Sequence, residues 1–334
     1  VSDLSDSKKS ELMRNLQRRA ELLNFVRQFF SQHGYWEVET PLMMSESCID
    51  RWLDPFGLQV FGKTCFLQTS PEFAMKRMLA AGADSIFQIC KAFRAGEVGD
   101  HHNPEFTMLE WYRQSTPLSE QIKFVEKLVQ GSLDFASEKK WIAPSQRFPQ
   151  FQTLTYEAAF QNSLGISPHE SSSETLQELA VANGFQLASG ETVDRDDLLN
   201  YLLATVVEPD LEEMEAVSLI DYPASQSALA KIVQRGEYFV AERFEMYLHG
   251  HEICNGYQEL TDPVELRRRM SLQNKKRIAD GKSELPVESK LLEAMERQGL
   301  PESSGVALGF DRLVMICLGC SSLKDVLAFP FSEV

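Results

Sequence analysis

The stretch FQICKAFRAGEVGDHHNPEFTMLEWYR, Phe87–Arg113, decides how the chain is read. An apolar run of strand length, Ser85–Phe93, leads into a polar loop rich in Gly, Asp and His, and an extended pattern resumes at Pro104. In the return run Phe106, Met108 and Trp111 alternate with Glu105, Thr107, Glu110 and Tyr112, which predicts two antiparallel strands joined by a long loop. The polar residues are an odd set for a mere connector. Arg94 closes the first strand, His102 and Asn103 lie in the loop, and Phe106, Glu110 and Tyr112 lie on the return. A cation, hydrogen-bonding groups, an aromatic face, and a carboxylate with a phenol together suit a nucleotide and an amine.

Outward from this hairpin, 334 residues with 43% hydrophobic and 25% charged content fit an ordinary globular chain with a sizeable core. The formal net charge of −16 repels a phosphate backbone unless basic residues cluster. No apolar run approaches the ~18 residues of a membrane span. The first residues, VSDLSDSKKSELMRNLQRR, carry no hydrophobic signal core, so a cytoplasmic protein without membrane attachment is expected. Six cysteines are scattered, and Cys317 and Cys320 sit in an apolar run that reads as core.

Lys8–His33 reads as an amphipathic helix with Leu12, Leu16, Leu23, Val26 and Phe30 near helical spacing, ended by Gly34 and followed by a strand, Tyr35–Thr40. Phe66–Thr69 predicts a short strand. Ser70-Pro71-Glu72 then opens a helix to Gly82, with Ser70 available as a cap. Thr116–Phe135 is a further helix, and Glu138–Phe151 a surface connector. About 154–209 reads as short helices inserted beside a sheet. Phe239–Tyr247 and His251–Gln258 form a second hairpin turning at LHG. The helix PVELRRRMSLQNKKRIADGK carries Arg267, Arg268, Arg269, Lys275, Lys276 and Arg277, either a solvated face or a dock for an acidic partner. Gly305–Gly309 reads as a strand of small residues, and Asp311–Leu318 as a helix. Neither a P-loop nor a dinucleotide fingerprint is present.

Phe87–Arg113 resembles motif 2 of class II aminoacyl-tRNA synthetases, in particular their lysine branch. Arg14–Pro41 is similar to motif 1, Leu67–Gly82 to the amino-acid-binding loop and helix, Ala241–Asp262 to the metal and lysine segment, and Ser304–Met315 to motif 3. The resemblance covers nearly the whole chain in family order. It implies one α+β catalytic domain over 1–334, an antiparallel sheet flanked by helices, with no N-terminal OB-fold, and a homodimer built through motif 1. It also implies ATP and Mg2+. Arg94 and Arg312 are then the catalytic cations, with Arg94, Ala95, Gly96, His102, Asn103, Phe106, Glu252, Ile253, Gly309 and Arg312 around ATP. The amino acid falls to Ser70, Pro71, Glu72, Glu110, Tyr112, Asn255, Tyr257, Glu259 and Ala307, and the metal to Glu252 and Glu259. Arginine suits its posts because the guanidinium is permanently charged and binds oxyanions bidentately. Two buried carboxylates beside a phenol make a trap for an ammonium ion.

Two departures stand out. Gly96 occupies the place of the usual motif 2 glutamate, with Glu97 next to it, and Ala307 replaces the glycine usual in the lysine branch. The alanine methyl narrows the pocket near the amino-acid backbone, which favours a lysine isomer with its amino group shifted. These features resemble the lysyl-tRNA-synthetase-like ligases that lack an anticodon domain. Their resemblance implies β-lysine or lysine as substrate, elongation factor P as the acceptor partner, and no tRNA; the basic helix Arg267–Arg277 is a candidate dock for that acidic partner. Two alternatives stay open on sequence: charging of tRNA or a small acceptor, and a non-catalytic lysine or nucleotide sensor.

Overall fold

The structure is a computed structural model that describes residues 6–143, 149–187 and 193–334. The chain forms two compact units, one within 1–148 and 259–334, the other within 149–258. The connector expected over Glu138–Phe151 and the helical segment expected over 154–209 each lie partly outside the described residues.

The first unit opens with helix α1 (Asp6–Gln32) and the two-residue strand β1 (Trp36–Glu37). A small sheet follows, β2 (Met43–Met44), β3 (Gly57–Val60) and β4 (Lys63–Leu67), in the order β2-β4-β3. Then come α2 (Glu72–Ala80), β5 (Ser85–Phe93), β6 (Glu105–Gln114) and α3 (Leu118–Glu138). The second unit contributes β7 (Phe151–Thr155), α4 (Tyr156–Leu164), α5 (Ser173–Ala182), α6 (Arg195–Leu202), a wide turn at Leu203–Val207 and α7 (Glu208–Glu212). It continues with β8 (Ala216–Pro223), β9 (Ile232–Arg235), β10 (Tyr238–Leu248) and β11 (His251–Gln258). The chain returns to the first unit with α8 (Pro263–Ala279), α9 (Lys290–Gln298), β12 (Ser303–Gly309) and α10 (Phe310–Cys317).

In the first unit the strand order is β1-β5-β6-β12, antiparallel except that β1 runs parallel to β5. In the second it is β11-β10-β8-β7, with β9 also paired to β10 and β7 parallel to β8. The long hairpin read from sequence is β5–β6, with Phe93 opposite Glu105 at its mouth. The second hairpin turns at His249 and Gly250, both at positive φ, as a tight turn between twisted strands requires.

The alternation expected along β6 is corrected. Residues 107–112 are buried without a break, because both faces are covered. Period-two geometry puts Thr107, Leu109 and Trp111 on one face and Phe106, Met108, Glu110 and Tyr112 on the other. Trp111 packs under α1 and α3, 5.2 Å from Phe30 and 5.9 Å from Phe124, and donates its Nε1–H to Gln121. Polar groups on the opposite face broke the hydrophobic pattern because that face lines a pocket. The buried stripe of α1 is also shifted from the expected one: Leu12, Asn15, Leu22, Val26 and Phe30 point inward, not Leu16 or Leu23. Asn15 earns its place by donating to the Asp325 carbonyl.

The strand expected at Tyr35–Thr40 shrinks to Trp36–Glu37. Ser70 does not cap α2. Pro71 holds the N-cap position, and no side chain bonds there.

The basic helix is no open patch. Arg267 pairs with Glu288 and Glu296, Arg268 with Glu265 through two hydrogen bonds, and Arg269 with the same Glu265. The Arg268 and Arg269 bonds, the former foremost, hold the Glu265 carboxyl at about 2. Arg277 is buried, donating to the Asp50 and Leu53 carbonyls and pairing with Asp54 at 2.9 Å. The dock expected on this helix therefore loses most of its charge to intramolecular partners. Replacing Arg277 by Ala should cost about 3 kcal/mol, since it strands a carboxylate and two carbonyls, whereas Lys275→Ala on the exposed side should leave thermal unfolding unchanged.

Candidate functional site

Register places the pocket. β12 pairs with β6 so that Gly305 faces Tyr112 and Ala307 faces Glu110. Tyr112 donates its hydroxyl to Glu110 Oε1 at 2.6 Å, while Glu110 Oε2 is buried with no hydrogen-bond partner. Glu259 directly follows β11 and is held by its own N–H donating to the Ser303 carbonyl. A side chain at 305 is sterically forbidden. A Cβ there would fall 2.3 Å from Tyr112 Cε1 and 2.7 Å from Glu259 Oε1.

Sequence reading missed the fourth member. Lys76, 2% exposed, projects from α2 between Glu72 and Glu259 and lies 2.5 Å from a carboxylate oxygen of each. The signal was present as Glu72 and Lys76 at i, i+4 on one helix. Burial works to lower the Lys76 ammonium's proton affinity but is outweighed by Glu259 and Glu72, which raise it. Burial pushes the Glu110 carboxyl up to about 8, with Glu72 adding to the rise and Tyr112 and Lys76 opposing it. Burial likewise raises Glu259 to about 7 against the pull of Lys76. Three buried carboxylates, Glu72, Glu110 and Glu259, thus gather about one ammonium.

The phosphate-binding side expected from sequence centres on the loop between β5 and β6. Its base is pinned where Arg94 N–H donates to the Pro104 carbonyl and Ala95 N–H to the Asp54 carbonyl. The Arg94 guanidinium lies 5.0 Å over the Phe106 ring and 3.6 Å from Glu97. The Arg312 guanidinium donates to His102 Nε2 at 2.9 Å. Burial, then the charge of Arg312, lowers the His102 pKa, with Arg94 contributing in the same direction. Both arginines therefore act on one imidazole, which stays neutral with its proton on Nδ1. Asp311 fixes the start of α10: it accepts from the Thr107 N–H and pairs with Arg19 of α1 at 2.5 Å. Asn103, expected beside the nucleotide, makes two hydrogen bonds within the chain. It accepts from the Phe331 N–H and donates to the Glu105 carbonyl, so it shapes the loop.

Glu252, Ile253, Asn255 and Tyr257 all lie on β11 of the second unit. Ile253 is buried, while Asn255 and Tyr257 are partly exposed. Sequence reading missed Glu245 of β10, which sits opposite Asn255 and accepts hydroxyl bonds from Tyr222 and Tyr247. Arg243 pairs with Glu245 and lies 4.3 Å over the Tyr222 ring. Burial works against the Arg243 charge, but Glu245, Tyr257, Tyr222 and Glu252 together raise its proton affinity. Glu245 and Glu252 therefore share one neighbourhood on adjacent strands. The Glu259 carboxylate, expected as a metal ligand, is paired with the Lys76 ammonium. Among the described residues no cluster of three or more metal-ligating side chains occurs.

Residues 3–333 match the model of the class II tRNA synthetases for D, K and N. The chain belongs to the class II aminoacyl-tRNA synthetase family. Within this class II family it is 41% identical over 98% of both chains to an elongation factor P–(R)-β-lysine ligase of Erwinia tasmaniensis. Ligases of the same name from Enterobacter sp. strain 638 and Edwardsiella ictaluri are each 40% identical over the same share of both chains. Among the described residues no helix is long and apolar enough to cross a membrane.

Two outcomes follow from the pocket. Gly305→Ala should lower kcat/KM for amino-acid activation by at least about 100-fold in a pyrophosphate-exchange assay, since the methyl displaces Tyr112 from Glu110. Glu110→Gln should change the pH dependence of unfolding. The Glu110 carboxyl is raised from 4.5 to about 8 in the fold, so its contribution is fully present below the lower value and is lost as pH rises through the higher. Wild type and Glu110→Gln should melt alike at pH about 4.5, and the variant should melt a few degrees higher at pH about 9.

Proposed function

We propose that this enzyme activates (R)-β-lysine, or lysine, as an acyl-adenylate and transfers the acyl group to the ε-amine of a lysine on elongation factor P. The single observation that carries the reading is the buried pocket of Glu110, Tyr112 and Glu259 over Gly305, which calls for an ammonium group, in a chain similar end to end to ligases of that name.

In the first step a carboxylate oxygen of the amino acid attacks the α-phosphorus of ATP, and the bond to pyrophosphate breaks. Two anions must meet, so the barrier is largely electrostatic and pre-placed cations lower it. Arg94 at the base of the loop suits the carboxylate and α-phosphate, and Arg312 suits the terminal phosphate. Phe106 offers a ring face for adenine, and the partly exposed loop around Gly96 and His102 lies alongside. In the second step the acceptor amine attacks the acyl carbon, AMP leaves, and the amine gives up a proton as the amide forms. No side-chain nucleophile is needed, because positioning and charge stabilisation carry both displacements.

Magnesium, when bound, neutralises charge on the phosphates. It takes oxygen ligands and keeps several waters, and the carboxylate of Glu252 would supply one of those ligands. Ala307, half-buried opposite Glu110, narrows the space beside the amino-acid backbone and favours the shifted isomer. A homodimer is supported by the exposed apolar side chains of Trp36, Leu42 and Met43, which follow α1 in the chain. The reading treats 1–334 as one catalytic domain, with helices inserted at about 154–209, acting in the cytoplasm without tRNA.

The test is mass spectrometry of purified elongation factor P after incubation with enzyme, ATP and each lysine isomer. The expected result is one added lysyl-sized mass on a single lysine, formed fastest with (R)-β-lysine. Charging of tRNA with elongation factor P left unmodified would replace this reading with a tRNA-acylating one. Absence of pyrophosphate exchange with every isomer would replace it with a sensor.

A further inference from the structure

Three carboxylates and one amine converge in the pocket of the first unit. Glu72, Glu110 and Glu259 are 8%, 1% and 1% exposed, and Lys76 is 2% exposed. Lys76 Nζ lies 2.5 Å from Glu72 Oε1 and 2.5 Å from Glu259 Oε2, and 6.0 Å from the centre of the Tyr112 ring. Its one charge is shared by two carboxylates, and Glu110 Oε2 has no hydrogen-bond partner. With all groups ionised, the pocket lacks two positive charges.

Every other titratable group nearby is neutral or points elsewhere. Cys48 lies 4.0 Å from Glu72 Oε2, and burial foremost keeps its thiol protonated. Burial also pushes the Cys90 thiol of β5 up to about 12, with Glu110 adding to the rise. The Tyr112 phenol is likewise held neutral, first by burial and then by Glu110. Arg94 faces Glu97 and Phe106.

We propose that Lys76 is a specificity-determining positioning residue, a built-in counter-ion between Glu72 and Glu259 that leaves the pocket short by two positive charges and so matches it to a ligand with two ammonium groups. The proposal rests on the reading of this pocket as the amino-acid site. A diamino acid supplies both charges, with its carboxylate left for Arg94. A monoamino acid of the same length leaves a buried carboxylate unpaired, a costly state. Without Lys76 a third anion needs a partner that the ligand does not have. The carboxylates then retain a proton to higher pH, because the charge that favoured their ionised form is gone.

The test compares wild type, Lys76→Met and Lys76→Arg by ATP–pyrophosphate exchange across pH, with each lysine isomer and with norleucine, after thermal melts establish folding. Lys76→Met should raise KM for the preferred isomer by at least about tenfold at pH about 7 with kcat changed by less than about threefold. The rising limb of its kcat/KM profile should move to higher pH by about one unit. Lys76→Arg keeps the charge and should keep the wild-type pH profile, with only KM raised by its bulk. A Lys76→Met enzyme with wild-type KM and pH profile overturns the proposal, as does a Lys76→Arg profile displaced like that of Lys76→Met. If Lys76→Met does not fold, the Lys76→Arg profile decides alone. Wild-type exchange with norleucine as fast as with the lysine isomers also overturns it. Wild type that exchanges with no lysine isomer overturns the amino-acid-site reading itself, a result distinct from wild-type exchange that is indifferent to position 76.

Discussion

An ionised carboxylate is tolerated in a protein interior only beside a cation or a full set of hydrogen bonds, and the first unit buries three carboxyl groups with a single lysine between two of them. Much of that unit's architecture serves this arrangement. The β5–β6–β12 pairing sets Tyr112 against a glycine and Glu110 against a small side chain. Helix α2 presents Glu72 and Lys76 one turn apart, and the Ser303 carbonyl fixes the backbone of Glu259. The remaining imbalance shows in the Glu110 carboxyl, which burial and Glu72 push up to about 8. The fold supplies enough rigidity, through the Phe30, Phe87 and Trp111 cluster beneath the strands, to keep the groups from relaxing toward water.

A second constraint operates at the start of α10. Asp311 joins three elements through Arg19 of α1 and the backbone of Thr107 in β6. Its neighbour Arg312 thereby reaches the loop after β5 at a defined height and meets His102. The imidazole, kept neutral mainly by burial and by Arg312, accepts that bond rather than repelling the guanidinium. A protonated histidine at this position would work against both arginines.

The long hairpins, β12 and the helix after it were legible because their apolar runs and turn residues agree with their final state. The helix stripe of α1 misled by one position in two places, since Asn15 is buried for a hydrogen bond and Leu16 is not needed. The face of β6 misled for a deeper reason. Glu110 and Tyr112 are polar yet fully buried, a pattern that hydrophobic periodicity cannot register. Family resemblance nonetheless singled out both residues, and the structure brings them together in a 2.6 Å hydrogen bond. Lys76 went unnoticed because a lysine on a helix ordinarily faces solvent, and only tertiary placement reveals that it is enclosed. The basic run in α8 failed in the opposite way: charges that look free along the sequence find acidic partners brought in from α9 and the segments before it.

Gly305 and Ala307 are neighbours on the same face of one strand, yet they differ in steric latitude. At 305 the ring of Tyr112 and the Glu259 carboxylate occupy the space of any β-carbon, so a side chain there must displace one of them. At 307 a methyl group is accommodated opposite Glu110, and a glycine would fit as well. Any retuning of the space beside Glu110 by side-chain volume therefore falls to position 307, because 305 has no volume to give.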